Sequence, residues 1–177
     1  MSIARIIRAA ALPEVAWKNG GGTTREIAVY PPGASMEDFV WRISMARVET
    51  AGAFSRFAGI DRVLAVLEGR LRLCGPAGAV ELDGDSAPFP FDGEAPVTGA
   101  PLAGAVLDFN AMARRGQCAV HMERLAAGEA AVCEGASFVL ALEPQRLGDA
   151  QLDRLDCALL SGTMILGGPA LAVRFRA

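Results

Sequence analysis

The residues best suited to chemistry fall in four short constellations. The first, Trp17-Lys18-Asn19-Gly20-Gly21-Gly22-Thr23-Thr24-Arg25-Glu26, gathers cations, an amide, hydroxyls and a carboxylate around three consecutive glycines. Glycine loses more backbone freedom on folding than any other residue, so its return is a positive φ or a close approach of backbone. In the second, Trp41-Arg42-Ile43-Ser44, alternation puts Arg42 and Ser44 on one strand face. A guanidinium fork there matches the two oxygens of a carboxylate. The third, Phe57-Ala58-Gly59-Ile60-Asp61-Arg62, carries a charged pair into an apolar strand, with Arg62 a candidate for a barrel mouth. The fourth begins Asp108-Phe109-Asn110, and an extended backbone puts Asp108 and Asn110 on one face. Each has a plainer reading alone: a glycine turn, a solvent-facing arginine, a structural ion pair, an Asx turn. Together they outline a pocket with arginine anchors and amide donors, suited to a small carboxylate.

Several familiar chemistries are excluded. The glycines precede the strand-like Ile27-Ala28-Val29-Tyr30, whereas the phosphate-cradling P-loop and the dinucleotide fingerprint both open a helix. The chain has a single histidine, His121, too few for the sets of two or three that hold metals in jelly-roll barrels. No G-x-S-x-G elbow presents a serine, and His121 lies in a β-like run as a hydrogen-bonded structural residue. The reading is metal-free and names no catalytic residue and no cofactor.

The 177 residues suit one domain or two small fused ones, and a 52% hydrophobic share is enough to bury a full core. A net charge of −3 without clustered Lys and Arg argues against nucleic acid and anionic membrane as partners. Arg5 and Arg8 interrupt the N-terminal apolar run that a signal peptide needs, and no uncharged apolar run reaches the ~20 residues of a membrane span. Cys74, Cys118, Cys133 and Cys157 form no C-x-x-C pair and read as buried free thiols in a reducing cytoplasm.

The elements that must position these residues are strands. Val40–Val48 has strand composition, and Arg62–Leu67 followed by Glu68-Gly69 and Arg70–Cys74 reads as a β-hairpin with Leu71 and Leu73 inward. Val80–Leu82, Ala105–Phe109, Ala119–Leu125, Ser137–Leu142, Cys157–Ser161, Thr163–Leu166 and Ala170–Phe175 are further strands. Helical turns are expected only at Ile3–Ala11 or near Asn110–Arg115. Many short strands with few helices indicate a β-sandwich or barrel. The chain reads as one compact unit, 1–177, and its Pro/Gly-rich stretch near 86–104 is the one internal boundary, giving halves 1–104 and 105–177.

Six segments, in order along the chain, carry a resemblance. They are Trp17–Glu26, Asp38-Phe39-Val40-Trp41-Arg42-Ile43-Ser44-Met45-Ala46, Gly52-Ala53-Phe54-Ser55-Arg56-Phe57-Ala58-Gly59-Ile60-Asp61-Arg62, Leu67-Glu68-Gly69, Phe89-Pro90-Phe91-Asp92-Gly93-Glu94 and Asp108-Phe109-Asn110-Ala111-Met112-Ala113-Arg114-Arg115. In these the chain resembles the HutD/Ves family. The resemblance implies an all-β, cupin-like (RmlC-like jelly-roll) β-barrel, or two degenerate barrels fused as a compact bicupin. It also implies a metal-independent pocket and a link to histidine utilisation, with urocanate or N-formylglutamate as ligand. Fold alone carries no function.

The expectation is a cytoplasmic, metal-independent regulator of amino-acid catabolism that binds a small anionic metabolite. Arg42 and Arg62 are its carboxylate anchors and Lys18 a further cation. Asn19, Ser44 and Asn110 supply hydrogen bonds, Trp41 forms a flat wall, and Glu26 and Asp108 orient the cations. A homodimer is allowed for. The rival is a metal-free isomerase, epimerase or lyase with Glu26 or Asp108 as general base and Lys18 as acid, which needs a pKa brought toward neutrality by burial. A third alternative is a scaffold acting through protein contacts.

Overall fold

A computed structural model describes residues 2–177. They are almost wholly β. Strand β1 (Ile3–Ile7) is followed by a 3-10 turn at Ala9–Ala11, the one helical element among the described residues. None of them forms a helix long and apolar enough to cross a membrane.

The chain divides into two compact units, Pro13–Gln117 and the segment up to Leu12 joined with Cys118–Ala177. The division therefore falls after Gln117 and not at 104/105. A cut at 104 would separate the strand at 106–114 from both of its hydrogen-bonded neighbours.

The 13–117 unit contains β2 (Val15–Ala16), β3 (Gly22–Tyr30), β4 (Trp41–Val48), β5 (Gly52–Ala53), β6 (Ile60–Glu68), β7 (Leu71–Gly75), β8 (Gly78–Leu82), β9 (Phe89–Asp92), β10 (Thr98–Pro101) and β11 (Val106–Arg114). A six-stranded sheet runs β2-β3-β4-β11-β6-β9 and a four-stranded sheet β5-β10-β7-β8. Every pairing is antiparallel.

The expected hairpin of β6 and β7 does not form. β7 keeps its predicted alternation, with Leu71 and Leu73 buried, but it pairs with β8 and β10 while β6 pairs with β11 and β9. Gly69 turns the chain between sheets at φ +83, and a Cβ there would stand 2.9 Å from the Ala105 carbonyl oxygen. A side chain at that turn is opposed by both the backbone angle and the space. The helical expectation at Asn110–Arg115 is also corrected, since β11 runs straight through to Arg114.

Strand parity decides what each sheet face buries. Val48, Leu64, Val66 and Val106 of the six-stranded sheet pack with Leu71, Leu73 and Leu82 of the four-stranded sheet in one cluster. Each such buried Leu or Val contributes about 1.5–3 kcal/mol. Further along the same face of β6 and β11, Ile60 and Met112 pack with Phe39. Between these two apolar patches lies a band of polar residues.

The other unit contains β12 (Ala119–Leu125), β13 (Ala130–Ala131), β14 (Ala136–Ala141), β15 (Gln145–Leu147), β16 (Ala150–Leu152), β17 (Cys157–Leu160), β18 (Met164–Ile165) and β19 (Ala170–Arg176). Its five-stranded sheet is ordered β1-β17-β14-β19-β12, with two-stranded ribbons β13-β18 and β15-β16. Val139, Ala141, Leu147, Leu152, Ala158 and Leu160 form its apolar cluster. The four cysteines are free thiols, Cys118 and Cys157 buried and Cys74 and Cys133 half-buried. His121 is exposed on β12, its Nε2 3.8 Å from Glu123 Oε2, and is not the hydrogen-bonded structural histidine expected.

Candidate functional site

Three adjacent strands build the site. Antiparallel register places Ser44 of β4 and Leu64 of β6 opposite Asn110 of β11, Ala46 and Val66 opposite Asp108, and Arg42 and Arg62 opposite Met112. Side chains alternate across a strand, so Arg42, Ser44, Arg62, Asp108 and Asn110 all leave the inner face of the sheet. All five are buried. On β3 a bulge between Glu26 and Ala28 lets Glu26 lie opposite Ser44 and Val29 opposite Arg42. A bulge of this kind re-aims a side chain at a sheet edge. Here it brings Glu26 to Arg42.

Two hydrogen-bonded groups result. Arg42 Nε donates to Glu26 Oε2 at 2.8 Å, and Nη1 reaches Ser44 Oγ at 3.4 Å. Its Nη2 makes no hydrogen bond among the described residues. Arg62 Nη2 donates to Asn110 Oδ1 at 2.9 Å and Nη1 to the Ser55 carbonyl at 3.2 Å, while Asn110 Nδ2 donates to Asp108 Oδ1 at 3.3 Å. Arg62 Nε is buried with no hydrogen-bond partner among the described residues. The rings of Phe91, Phe57 and Phe54 surround that guanidinium, with centroids 4.9, 5.5 and 5.6 Å from Cζ. Cation–π contacts of this kind stabilise a cation by about 0.5–2 kcal/mol each and hold its orientation.

The electrostatics favour an anion. Burial lowers Arg62 to about 10; Asp108 opposes that shift and Arg42 adds to it. Burial pushes the Asp108 carboxyl up to about 7, against the pull of Asn110, Arg62 and a backbone hydrogen bond at Ala46. The one fully buried carboxyl on this face is thus a weakened counter-charge. Glu26, its side chain 46% exposed, faces solvent as well as Arg42.

Three expected site residues lie elsewhere. Trp41 has the opposite parity to Arg42 and stacks on Tyr30 across the outer face, with ring centroids 5.8 Å apart. Lys18 and Asn19 are exposed in the turn before β3. Asn19 Oδ1 accepts the Gly21 amide at 2.8 Å, which is the plainer Asx-turn reading. Gly22 pairs with Val48, six residues along β4 from Arg42 and so about 20 Å away. The glycine run serves close packing there: a Cβ on Gly22 would stand 2.2 Å from the Arg47 carbonyl oxygen and 3.1 Å from the Trp17 ring. Trp17 in turn donates from Nε1 to Thr24 Oγ1 at 2.7 Å. Asp61 faces away from Arg62 and pairs with Arg115 at 2.8 Å.

The phenylalanines around Arg62, and Met112 opposite both arginines, are additions. Their signal is faint. Phe89 and Phe91 alternate in the Phe89-Pro90-Phe91 strand, which pairs Phe91 with Arg62. Among the described residues no three His, Cys, Asp or Glu side chains are grouped to hold a metal ion. Two guanidiniums beside two carboxyls, Glu26 and Asp108, are also the wrong donor set for a divalent cation.

This chain is similar to proteins of known description. The HutD family model matches residues 9–173. An uncharacterized 21.2 kDa protein in the hutC 3′ region of Pseudomonas putida is 42% identical over 113 residues, which cover 62% of this chain and 58% of that protein. The chain thus spans under two-thirds of the length of the curated relatives it matches. A conserved protein of unknown function from Pseudomonas aeruginosa PAO1 superposes with a TM-score of 0.84 at 30% identity, covering 98% of each chain. HutD from Pseudomonas fluorescens SBW25, solved in a formate condition, superposes with a TM-score of 0.88 at 25% identity, over 98% of this chain and 99% of that one. A cupin 2 conserved barrel domain protein from Leptotrichia buccalis, 9% identical with a TM-score of 0.61 over 99% and 98% of the chains, shows the fold alone. The fold is cupin-like, and relatives carry names from a histidine-utilisation locus. The chain belongs to the HutD family.

Proposed function

We propose that the 13–117 unit binds a small carboxylate between its two sheets and that the protein acts as a cytoplasmic, metal-independent regulator of histidine catabolism. The observation that carries this is the buried guanidinium of Arg62, which lacks an acceptor at Nε and shares its sheet face with a second cation, Arg42. A buried charge short of counter-charge and acceptors is costly, and an anion placed there relieves both deficits. Arg42 presents Nη2 with no partner among the described residues, beside Ser44 as a further donor. Urocanate and N-formylglutamate are ligands consistent with relatives named for a histidine-utilisation locus.

A thermal-shift series against urocanate, N-formylglutamate, histidine, glutamate and simple dicarboxylates, with and without chelator, tests the reading. A ligand at a hundred times its dissociation constant stabilises by about 2.7 kcal/mol, a shift of roughly 5–10 °C for a chain of this size. The expected result is a selective shift that ignores chelator and is lost in Arg42→Ala, which still melts cooperatively. No shift across the panel, or an unchanged shift in Arg42→Ala, refutes the site.

A second reading has one observation in its favour. Asp108, with its carboxyl near neutrality, has the proton affinity of a general acid or base. Turnover of a bound carboxylate followed by NMR, lost in Asp108→Asn, would make the protein an enzyme. Lys18 has no part in that reading, since it lies in the exposed turn.

A further inference from the structure

Arg62 lies beneath a short stretch of irregular chain. Asn110 and Phe91 reach its guanidinium from neighbouring strands, and its other contacts come from residues just before β6: the Phe54 and Phe57 rings and the Ser55 carbonyl. Ser55, Arg56 and Ala58 are exposed, so this stretch has water on one side and the buried arginine on the other. Residues 55–59 belong to no strand, whereas β6 and β9 on either side of Arg62 are laddered into the sheet. An anion that is to meet Arg62 must first displace something, and the stretch without a ladder is the part that opens at least cost.

Phe54 is its fixed end. The Phe54 amide donates to the Val97 carbonyl at 2.8 Å, and its ring packs against Gly99, where a Cβ would stand 2.5 Å from it. The far end is fastened to the β9–β10 connection and to the end of β11. The Phe57 amide donates to the Gly93 carbonyl at 2.7 Å and the Arg115 amide to the Gly59 carbonyl at 2.9 Å. Glu94 adds two more contacts: Oε1 accepts the Gly59 amide at 2.7 Å, and its carbonyl accepts Arg56 Nε at 2.6 Å. Arg115 steadies that carboxylate from Nη1 at 3.4 Å and is itself held by Asp61 at 2.8 Å and Asp92 at 3.3 Å. These four side chains are about half exposed. Exposed ion pairs each contribute little and are screened by salt, so the fastening is easily undone.

We propose that residues 55–59 form a strap that swings about Phe54 to let an anion reach and leave Arg62, and that Glu94 is its latch. This rests on the carboxylate-binding reading above and adds how the site is entered. When the strap opens, Phe57 and the Ser55 carbonyl leave the guanidinium, while Phe54, Phe91 and Asn110 keep it oriented. Lifting Phe57 off the patch of Phe39, Ile60 and Met112 is the main resistance. Glu94 is a positioning residue, acting on Arg62 only through the strap.

Two measurements on the ligand-free protein provide the test: amide hydrogen exchange by NMR, and labelling of Arg62 by phenylglyoxal read by peptide mass spectrometry. In Glu94→Ala, exchange at Phe57 and Gly59 and labelling of Arg62 should all rise at least about threefold, with exchange at Asn110 and Ala111 unchanged. Glu94→Gln keeps an oxygen for the Gly59 amide and drops the ion pair with Arg115, so its rise should be smaller. Faster exchange with Arg62 labelling unchanged overturns the inference, because the stretch then opens without uncovering the arginine. A rise under about threefold at Gly59 in Glu94→Ala overturns it as well, since Glu94 is then no latch. So does an equal rise at Asn110 and Ala111, where the opening is global. No ligand enters these measurements, so their failure leaves the carboxylate site to its thermal-shift test, and a flat thermal-shift panel refutes that site whatever the strap does.

Discussion

Two buried aspartates show how differently the two units use polar groups. Asp156 accepts three short hydrogen bonds, from Arg8 Nη1 at 2.7 Å and from the Ala9 and Asp153 amides at 2.9 Å. Burial works to raise its pKa, yet those hydrogen bonds and the Arg8 charge outweigh it and hold the carboxyl below the usual range. Its buried companions are equally committed: Ser137 bonds both backbone groups of Glu134, and Gln145 bonds the Gly168 amide and the Pro169 carbonyl. Asp108 has one 3.3 Å side-chain bond from Asn110, and burial prevails. Around it Arg62 keeps a donor with no acceptor among the described residues. Polar groups around Asp156 close the fold, whereas Arg62 beside Asp108 keeps a donor unused, and that difference supports placing the proposed site in 13–117.

The sharpest way to break that contrast is pH. Asp108 has an unfolded value of 3.8 and is pushed up to about 7 in the fold, so between pH ~4 and 7 the folded state binds the extra proton. Its share of stability is full below about 4 and is lost as pH rises through 7. The rise from 3.8 to about 7, at 1.36 kcal/mol per pH unit, is on the order of 4 kcal/mol. Asp108→Asn should remove that decline, gaining on the unmodified protein from pH 4 to about 7 and holding level above it. Urea midpoints at five pH values check it, and parallel curves for the two proteins would sink the assignment.

Part of this was legible in the residues. Alternation alone puts Arg42 with Ser44 and Asp108 with Asn110, because a period of two is a property of extended backbone. The same alternation turns Trp41 away from Arg42, which a flat-wall role overlooks. Which strands are neighbours is another matter. β4, β11 and β6 lie side by side, yet 41–48, 60–68 and 106–114 carry no local mark of that pairing. The β6–β7 connection shows the cost: Glu68-Gly69 looks like a hairpin turn but carries the chain from one sheet to the other. Lys18 and Asn19 looked functional by type, and register with Val48 places their turn a sheet's length away. The cage around Arg62 draws Phe54 and Phe57 from the connection before β6 and Phe91 from β9, and only the folded chain brings the two together.

Asp156 should respond in the opposite sense and by less. Its depressed pKa contributes stability that is present above about pH 4 and is lost as pH falls through the folded value. Asp156→Ala leaves the Ala9 and Asp153 amides without acceptors and Arg8 without its partner, a loss of about 2–3 kcal/mol at neutral pH. Asp156→Asn, which keeps an acceptor oxygen, should lose less. Denaturant unfolding of both variants at pH 7 decides the matter; a loss under about 0.5 kcal/mol for the alanine variant would mean that this carboxylate does not close the fold.

The smallest stability effect should come from the more drastic change of charge. Arg62→Met keeps an unbranched apolar stem among Phe54, Phe57 and Phe91 and removes a buried cation with an unsatisfied donor. It also leaves Asn110 Oδ1 and the Ser55 carbonyl without a donor, so the gain and the loss nearly cancel. Replacing a poorly compensated buried charge by an apolar side chain of similar volume is often neutral or stabilising. The expected change in unfolding free energy is within about 1 kcal/mol, with carboxylate binding lost by calorimetry. A loss of 2 kcal/mol or more would put Arg62 in the same class as Asp156, a group that holds the fold together. The contrast between the two units would then no longer mark where the ligand goes.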